Sequence, residues 1–214
     1  DLLTPLALHS YVAPGPYAVT LHVTDDNGAV GPMTKTVTVI NSPPVASLTV
    51  GPLTVYTGDL VTADGSASSD PEGDPLTYLI AWGDGAASNL AVDTHAYARS
   101  GSYFVVLTVT DVFGLSDSRS ATVTVLNRAP TASFTYSPAS PVEGTLVSFD
   151  ATASNDPDGS IASYHWVWGD GTSSAILTSP IATHAYAMPG NYLVTLHVTD
   201  DNGAVGTAAK TITV

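Results

Sequence analysis

Thirteen residues, Val-Thr-Leu-His-Val-Thr-Asp-Asp-Asn-Gly-Ala-Val-Gly, stand at 19–31 and again, unchanged, at 194–206. A repeat of that length makes the chain an array, and the period of an array sets the size of its folding unit before any single motif is read. A diverged third copy lies between them, running from His95-Ala-Tyr97 through Tyr103-Phe-Val-Val-Leu-Thr-Val-Thr to Asp111. Aligned on His9, His95 and His184, the copies are 86 and 89 residues apart. One unit is therefore a small domain, too long for a turn of a solenoid.

The middle and last copies also share a Pro-Xaa-Ala-Ser start, at Pro44 to Ser47 and Pro130 to Ser133, and a Trp-Gly-Asp-Gly signature at 82–85 and 168–171. The first copy has neither. The expected organisation is the back part of one unit at 1–40, a full unit at 41–126 and another at 127–214. With no initiator Met and no leader-like stretch at its start, the sequence reads as a processed or excised segment.

Within each copy the hydrophobic period is two. Tyr17, Val19, Leu21 and Val23 alternate with Thr20, His22 and Thr24, the pattern of a half-buried strand. Asp25-Asp26-Asn27-Gly28 supplies turn chemistry, and Lys35 to Val39 is a second β-branched run, so the pair predicts a hairpin. Equivalent strands are expected at Tyr103–Val109 with Ala121–Val125, and at Tyr192–Val198 with Thr211–Val214. Further strands are expected at Ala46–Val50, Leu60–Ala63, Thr77–Trp82, Ala132–Tyr136, Leu146–Asp150 and Ser163–Trp168. No segment carries a helical period. About seven short strands per unit predict an all-β chain of antiparallel sandwiches.

Composition narrows the partners. Acids outnumber bases 19 to 5, for a formal charge of −14, and the five basic residues are scattered. That balance argues against nucleic acid and anionic membrane, which need clustered Lys and Arg, and favours a cation. No apolar run reaches the roughly 18 residues of a membrane helix. There is no cysteine, so neither a disulfide framework nor a thiolate metal site is open to the chain. Small extracellular modules that lack disulfides need another staple, and a bound metal ion is one.

The string Ser154-Asn-Asp-Pro-Asp-Gly159, Tyr164-His-Trp-Val-Trp-Gly-Asp-Gly171, His184-Ala-Tyr186, Gly190-Asn-Tyr192 and Val198-Thr-Asp-Asp-Asn-Gly203 resembles polycystic kidney disease (PKD) domains. The resemblance implies tandem immunoglobulin-like sandwiches of an extracellular, secreted or cell-surface protein. It also implies calcium, bound where an interdomain linker meets an acidic loop and the Asp ending the penultimate strand. Carried over, the ligands are Asn41, Ser42, Asp70, Glu72 and Asp111 in the middle copy, and Asn127, Asp156, Asp158 and Asp200 in the last. Arg128 stands in place of Ser42 there, a cation beside the expected ion. The other reading of these residues is a set of loop polars and Asx turns with no ion.

No catalytic residue is expected. Tyr164, Trp166 and Trp168 share a face and belong in the core, leaving Gly169-Asp170-Gly171 as a tight turn whose Asp caps backbone amides. His9, His95 and His184 recur just before a Tyr, where a local hydrogen bond suffices; His22 and His197 face outward. Acidic pairs at 70/72 and 156/158 recur from unit to unit without pocket-forming insertions, which speaks against glycoside hydrolysis. The expected role is a non-catalytic structural or adhesive spacer in a cell-surface or filament-forming protein, stiffened by calcium. The alternative is an accessory, substrate-binding module of a secreted protease or polysaccharide hydrolase, with carbohydrate as a possible partner. A lone hairpin at 1–40 would leave an apolar face open. A longer parent array, or another copy in a homopolymer, is expected to complete it by protein–protein contact.

Overall fold

The computed structural model describes residues 6–214 as strands and turns, with no helix among them. In chain order the strands are β1 (Gly15–Thr24), β2 (Val30–Val39), β3 (Thr49–Gly51), β4 (Thr54–Tyr56), β5 (Leu60–Asp64), β6 (Thr77–Ala81), β7 (Ala87–Ser88) and β8 (Val92–Ala96). They continue as β9 (Gly101–Thr110), β10 (Ser116–Leu126), β11 (Thr135–Ser137), β12 (Leu146–Asp150), β13 (Ile161–Val167), β14 (Ile181–Ala185), β15 (Asn191–Asp200) and β16 (Val205–Thr213). β1 and β2 form a two-stranded sheet. The middle copy has sheets β4-β10-β9-β6-β7 and β3-β5-β8, and the last copy has β11-β12-β14 and β13-β15-β16.

By contacts the chain divides into two compact units. One runs up to Thr49 and includes Ala63–Asp93 and Val105–Ala121; the other is Val50–Thr62, Thr94–Phe104 and Thr122–Val214. In the second unit the core of the last copy is a single buried cluster. Phe134, Phe149, Trp166 and Trp168 meet Val194, Leu196, Val198 and Ile212 there. The alternation of β13 and β15 sends Trp166, Val194, Leu196 and Val198 inward, and β12 and β16 add Phe149 and Ile212 in the same way, since successive side chains of a strand point to opposite faces. Trp166 and Trp168 lie parallel with ring centres 5.6 Å apart, and Phe134 meets Trp166 edge-on at 5.2 Å.

The repeated thirteen residues settle how far sequence fixes burial. Val19 pairs with Lys35, Leu21 with Met33 and Val23 with Gly31; Val194 pairs with Lys210, Leu196 with Ala208 and Val198 with Gly206, the same register. Yet Val19, Leu21 and Val23 are 45%, 60% and 60% exposed, whereas Val194, Leu196 and Val198 are fully buried. Strand and turn are local properties of the stretch; burial is conferred by a second layer. In the last copy that layer reaches across to Lys210, whose ammonium donates to the carbonyl of Phe134 and lies 5.0 Å from the centre of its ring.

Two expected strands are shorter than the alternation suggested. Ala46–Val50 contributes only β3, and Ala132–Tyr136 only β11 from Thr135. Just upstream, Val45 and Thr131 make single bridges to Ser69 and Asn155. The amides between are taken by side chains: Ala46 by the Asp117 carboxylate, Ser47 by Ser68 Oγ and Ser133 by Ser154 Oγ. Side-chain acceptors thus compete with the ladder. In the other direction, the structure adds the short β4 and β7 and the five-residue β8 and β14; inward positions of β14 carry Ala182 and His184 in place of large apolar residues, so no alternation signalled it.

Identical leucines in unequal surroundings give a direct test. Leu196→Ala should cost about 2 to 5 kcal/mol, the usual range for truncating a buried leucine, whereas Leu21→Ala should change stability by less than about 0.5 kcal/mol. Urea unfolding of the two variants followed by far-UV circular dichroism, which senses the strands of 1–40 as well as those of the modules that hold the three tryptophans, reports both.

Candidate cation sites at the starts of the repeats

In the first unit, the linker after β2, the loop between β5 and β6 and the end of β9 converge. Asn41 Nδ2 donates to Asp111 Oδ2 at 2.6 Å, and Ser42 Oγ donates to Glu72 Oε1 at 2.7 Å. Asp111 is buried, and its Oδ1 accepts the amides of Phe113 at 2.8 Å and Leu115 at 2.9 Å. Asp70 Oδ1 accepts the amides of Glu72 at 2.9 Å and Asp74 at 3.2 Å, an Asx turn, while its Oδ2 is buried with no hydrogen-bond partner. All five expected residues of the middle copy are therefore brought together, either directly or through one neighbour.

The last copy repeats the arrangement within the second unit. Asn127 Nδ2 donates to Asp200 Oδ2 at 2.7 Å, and the Asp200 Oδ1 accepts the amides of Asn202 at 2.9 Å and Ala204 at 2.8 Å. Asp158 Oδ2 accepts the Arg128 amide at 2.9 Å and the hydroxyl of Thr57. Asp156 Oδ2 and Asp158 Oδ1 are buried and unpartnered. Arg128 does not neutralise the pair through its side chain alone, because the guanidinium turns back to Asp59 Oδ1 at 2.8 Å.

The electrostatics divide the carboxylates into two groups. Burial alone would raise Asp111, but hydrogen bonds from Asn41 and from the amides of Leu115, Phe113 and Gly114 outweigh it and hold the group below the usual range. Asp158 behaves likewise: burial is outweighed by Thr57 and the Arg128 amide. Asp74 is pushed up by burial and then by the charges of Asp70, Asp111 and Glu72, and Asp156 is pushed up chiefly by burial, with Asp158 and Asp200 adding repulsion. An unpartnered buried carboxylate oxygen beside other carboxylates is a costly arrangement that a cation relieves.

Two acidic residues join the sites that the repeat pattern did not single out. Asp74 contributes to the first, and its counterpart in the last copy is Ser160. Asp201 contributes to the second: its Oδ1 accepts the Ser160 amide at 3.1 Å. A Cβ on Gly159 would lie 2.4 Å from Asp201 Oδ1 and 2.7 Å from Asp156 Oδ2, so only glycine lets those carboxylates close in. Among the described residues no three His, Asp or Glu side chains are drawn up tightly enough to hold an ion by themselves. The donor sets nevertheless fit calcium, a hard cation that takes six to eight oxygens from carboxylates, amide carbonyls and hydroxyls. Asn41 and Asn127 would present Oδ1 to it by an amide flip.

The Trp-Gly-Asp-Gly segments are turns. Gly83, Gly85, Gly169 and Gly171 have φ of 87°, 100°, 84° and 91°, which a side chain would strain. Asp84 Oδ1 caps the Ala86 amide at 3.0 Å, and Asp170 Oδ1 caps that of Thr172 at 3.0 Å. His184 does more than serve its neighbouring Tyr: Nε2 lies 2.7 Å from Asp170 Oδ2, and the ring stacks on Trp168 at 4.7 Å. Tyr186, donating to the Trp168 carbonyl at 3.1 Å, is pushed up to about 12 by burial and the nearby Asp170 charge. These groups knit the core edge together, and Trp82 and Trp168 are buried.

Paired β-sheets with buried aromatic cores, capped turns and acidic clusters at their starts define an immunoglobulin-like sandwich array. A family model for the PKD domain matches residues 41–125 and 127–214, and the chain belongs to that family. Among curated proteins it is similar to Pre-pro-metalloprotease PrtV of Vibrio cholerae, 37% identical over 144 residues, covering 66% of this chain and 15% of that protein. It is also similar to Collagenase ColA of Clostridium perfringens, 46% identical over 68 residues, covering 32% of this chain and 6% of that protein. Of solved structures, the PKD1 domain from Vibrio cholerae metalloprotease PrtV is 42% identical, covers 41% of this chain and 98% of that chain, and has a TM-score of 0.35. The matched stretches are thus small parts of much longer relatives.

The depressed carboxylates set an acid limit on the fold. Because Asp111, Asp158 and Asp170 have folded-state values below their ordinary ones, their stabilisation is complete above the unfolded value of about 3.9 and is lost as pH falls through the folded values. Below about pH 4 the loss from these carboxylates should lower the melting temperature, while protonation of Asp74 and Asp156, whose folded values are raised, works in the opposite direction at higher pH. Asp111→Asn should flatten part of that drop, as calorimetry across the pH series will register.

Proposed function

We propose that this chain is a non-catalytic accessory segment of an extracellular protease, in which consecutive PKD modules act as a calcium-stiffened spacer. The observation that carries the parent class is the 37% identity with a metalloprotease over 144 residues, together with the 46% match to a collagenase. Non-catalysis is supported by what the candidate chemical groups do. The Trp-Gly-Asp-Gly carboxylates cap turns, and His184 is spent on Asp170 and Trp168.

Between spacing and substrate holding, the buried aromatics favour spacing. An aromatic stacking platform needs exposed rings, and Trp82, Trp166 and Trp168 are all inside, leaving Tyr56, Phe104 and Phe113 as exposed aromatics. Incubation of chain 1–214 with insoluble collagen, chitin and cellulose should leave it in the supernatant. Retention on any one of them at micromolar protein would replace the spacer with a substrate-holding module.

The face of the opening hairpin matches the one that Phe134, Phe149 and Trp166 cover in the last copy. That match supports completion of the hairpin by the front half of a similar module, in an array or from another copy.

Calcium belongs to the same proposal, supported by the unpartnered oxygens of Asp70, Asp156 and Asp158. Asp156→Asn keeps the oxygen that accepts the Asp158 amide and removes a charge that burial penalises, so without cations it should raise the melting temperature. The same change should abolish the added stability that calcium gives the last module. Melting unaffected by calcium in the unaltered chain would reject the ion.

A further inference from the structure

The second compact unit joins two stretches of the 41–125 module, Val50–Thr62 and Thr94–Phe104, to the whole of the 127–214 module. What joins them is a small set of side-chain contacts centred on the linker. Asn127 is held to the last module by its bond to Asp200. The next residue, Arg128, reaches the other way: its guanidinium bonds Asp59 Oδ1 at 2.8 Å and the Thr57 carbonyl at 3.4 Å, and lies 5.0 Å from the centre of the Tyr56 ring. Thr57, itself buried, donates its hydroxyl to Asp158. Across a cavity of about 480 Å³ lined by Arg99, Asp158 and Asp201, Asn202 Nδ2 donates to Ser100 Oγ at 2.7 Å.

The same positions at the start of the middle module are occupied differently. Ser42, the counterpart of Arg128, bonds Glu72 in its own module through both its hydroxyl and its amide. Phe113, the counterpart of Asn202, lines a cavity with Val12 and Pro14, where Pro14 is the counterpart of Ser100. The hydrogen-bonded pair Ser100 and Asn202 is thus replaced by the apolar pair Pro14 and Phe113, in a cavity that Asn41, Glu72 and Asp74 also line.

We propose that Arg128, clamped between Asp59, the Thr57 carbonyl and the Tyr56 ring, is a latch that fixes the orientation of the 127–214 module on the 41–125 module. A lone exposed ion pair contributes little to stability, and relative motion is the default for modules on a short linker. Here one planar group makes an ion pair, a carbonyl bond and a ring contact at once, which only a guanidinium does. The neighbouring Asn127 is pinned to the opposite body, so the linker has an anchor at each side and no free residue between. The three groups that Arg128 grips with its side chain are not proposed ligands, but Asn127 and Asp158 take part in both the joint and the acidic cluster, and the test is therefore run without added calcium.

The test measures residual dipolar couplings of the full chain, without added calcium, for 41–125 and 127–214 separately. The unaltered chain should fit one alignment tensor. Arg128→Ala should need two, with amide shifts inside each module unchanged, and Arg128→Lys, which keeps the charge and loses the fork, should fall between them. Arg119→Ala removes the ion pair with Asp117 inside the 41–125 module and should leave a single tensor. Two tensors in the unaltered chain, or one in both Arg128 variants, would overturn the latch, whatever the outcome with calcium.

Discussion

A β-sheet with one apolar face is unstable in water until a second layer covers it, and every other property of this chain follows from how that cover is supplied. In the last module β13 and the residue after it deliver Tyr164, Trp166 and Trp168 onto Val194, Leu196 and Val198. Without that layer the same thirteen residues keep their hairpin and register but leave their valines and leucine in solvent. The aromatic ladder is therefore the fold's own requirement, and for that reason it is not free to bind anything else. A motif as suggestive as Trp-Gly-Asp-Gly is consumed by it, the tryptophan as core and the aspartate as cap.

Once the faces are committed to the core, chemistry is left to the ends of the sandwich. Loops between strands that switch sheets meet there, and the start of each module brings its linker to the same place. Carboxylates gathered by backbone caps alone cannot all be satisfied: a carboxylate has two oxygens, and an Asx turn uses one. Asp70 and Asp156 each spend Oδ1 on loop amides and leave Oδ2 buried and bare. The pattern in both modules is of oxygens ordered by the loop yet unused by it. The charge of −14, with few bases to offset it, adds a general repulsion that a divalent ion reduces.

The repeat period and the sandwich class were legible because each is written in local spacing, and the linker and loop residues that the family resemblance pointed to do come together. Tyr17 to Val23 announces a strand by alternation, and Asp70-Pro-Glu72 or Asp156-Pro-Asp158 announces a turn with carboxylates on it. β8 and β14 were not legible, because their inward positions hold His95, Ala182 and His184 where large apolar residues would have signalled burial. Shortening of the strands at 46 and 132 was equally hidden, since it depends on Asp117, Ser68 and Ser154 reaching in from elsewhere. Asp74 and Asp201 lacked counterparts in the other copy, so comparison of copies passed over them. Arg128 was visible as a departure, but its direction was not: beside the acidic loop it reads as a competitor of the ion, whereas its side chain grips Asp59 and Tyr56.

Placing both the acidic cluster and the gripping arginine at one module start has a mechanical consequence. Asp158 accepts Thr57 of the preceding module with one oxygen and keeps the other within the cluster. Anything that reorients this carboxylate acts on the joint as well as on the loop, because a hydrogen bond across a joint is lost with a small rotation of its acceptor. At the start of the middle module the corresponding acid, Glu72, bonds Ser42 of its own linker. Glu72 there stays with its own linker, and the cavity beside it is lined by Val12, Pro14 and Phe113 together with Asn41, Glu72 and Asp74. The repeats thus carry two kinds of joint, which differ at three aligned positions: Ser42 to Arg128, Phe113 to Asn202 and Pro14 to Ser100. The two modules share a sandwich while differing at their joints, where one start bonds across the linker and the other bonds within its own loop.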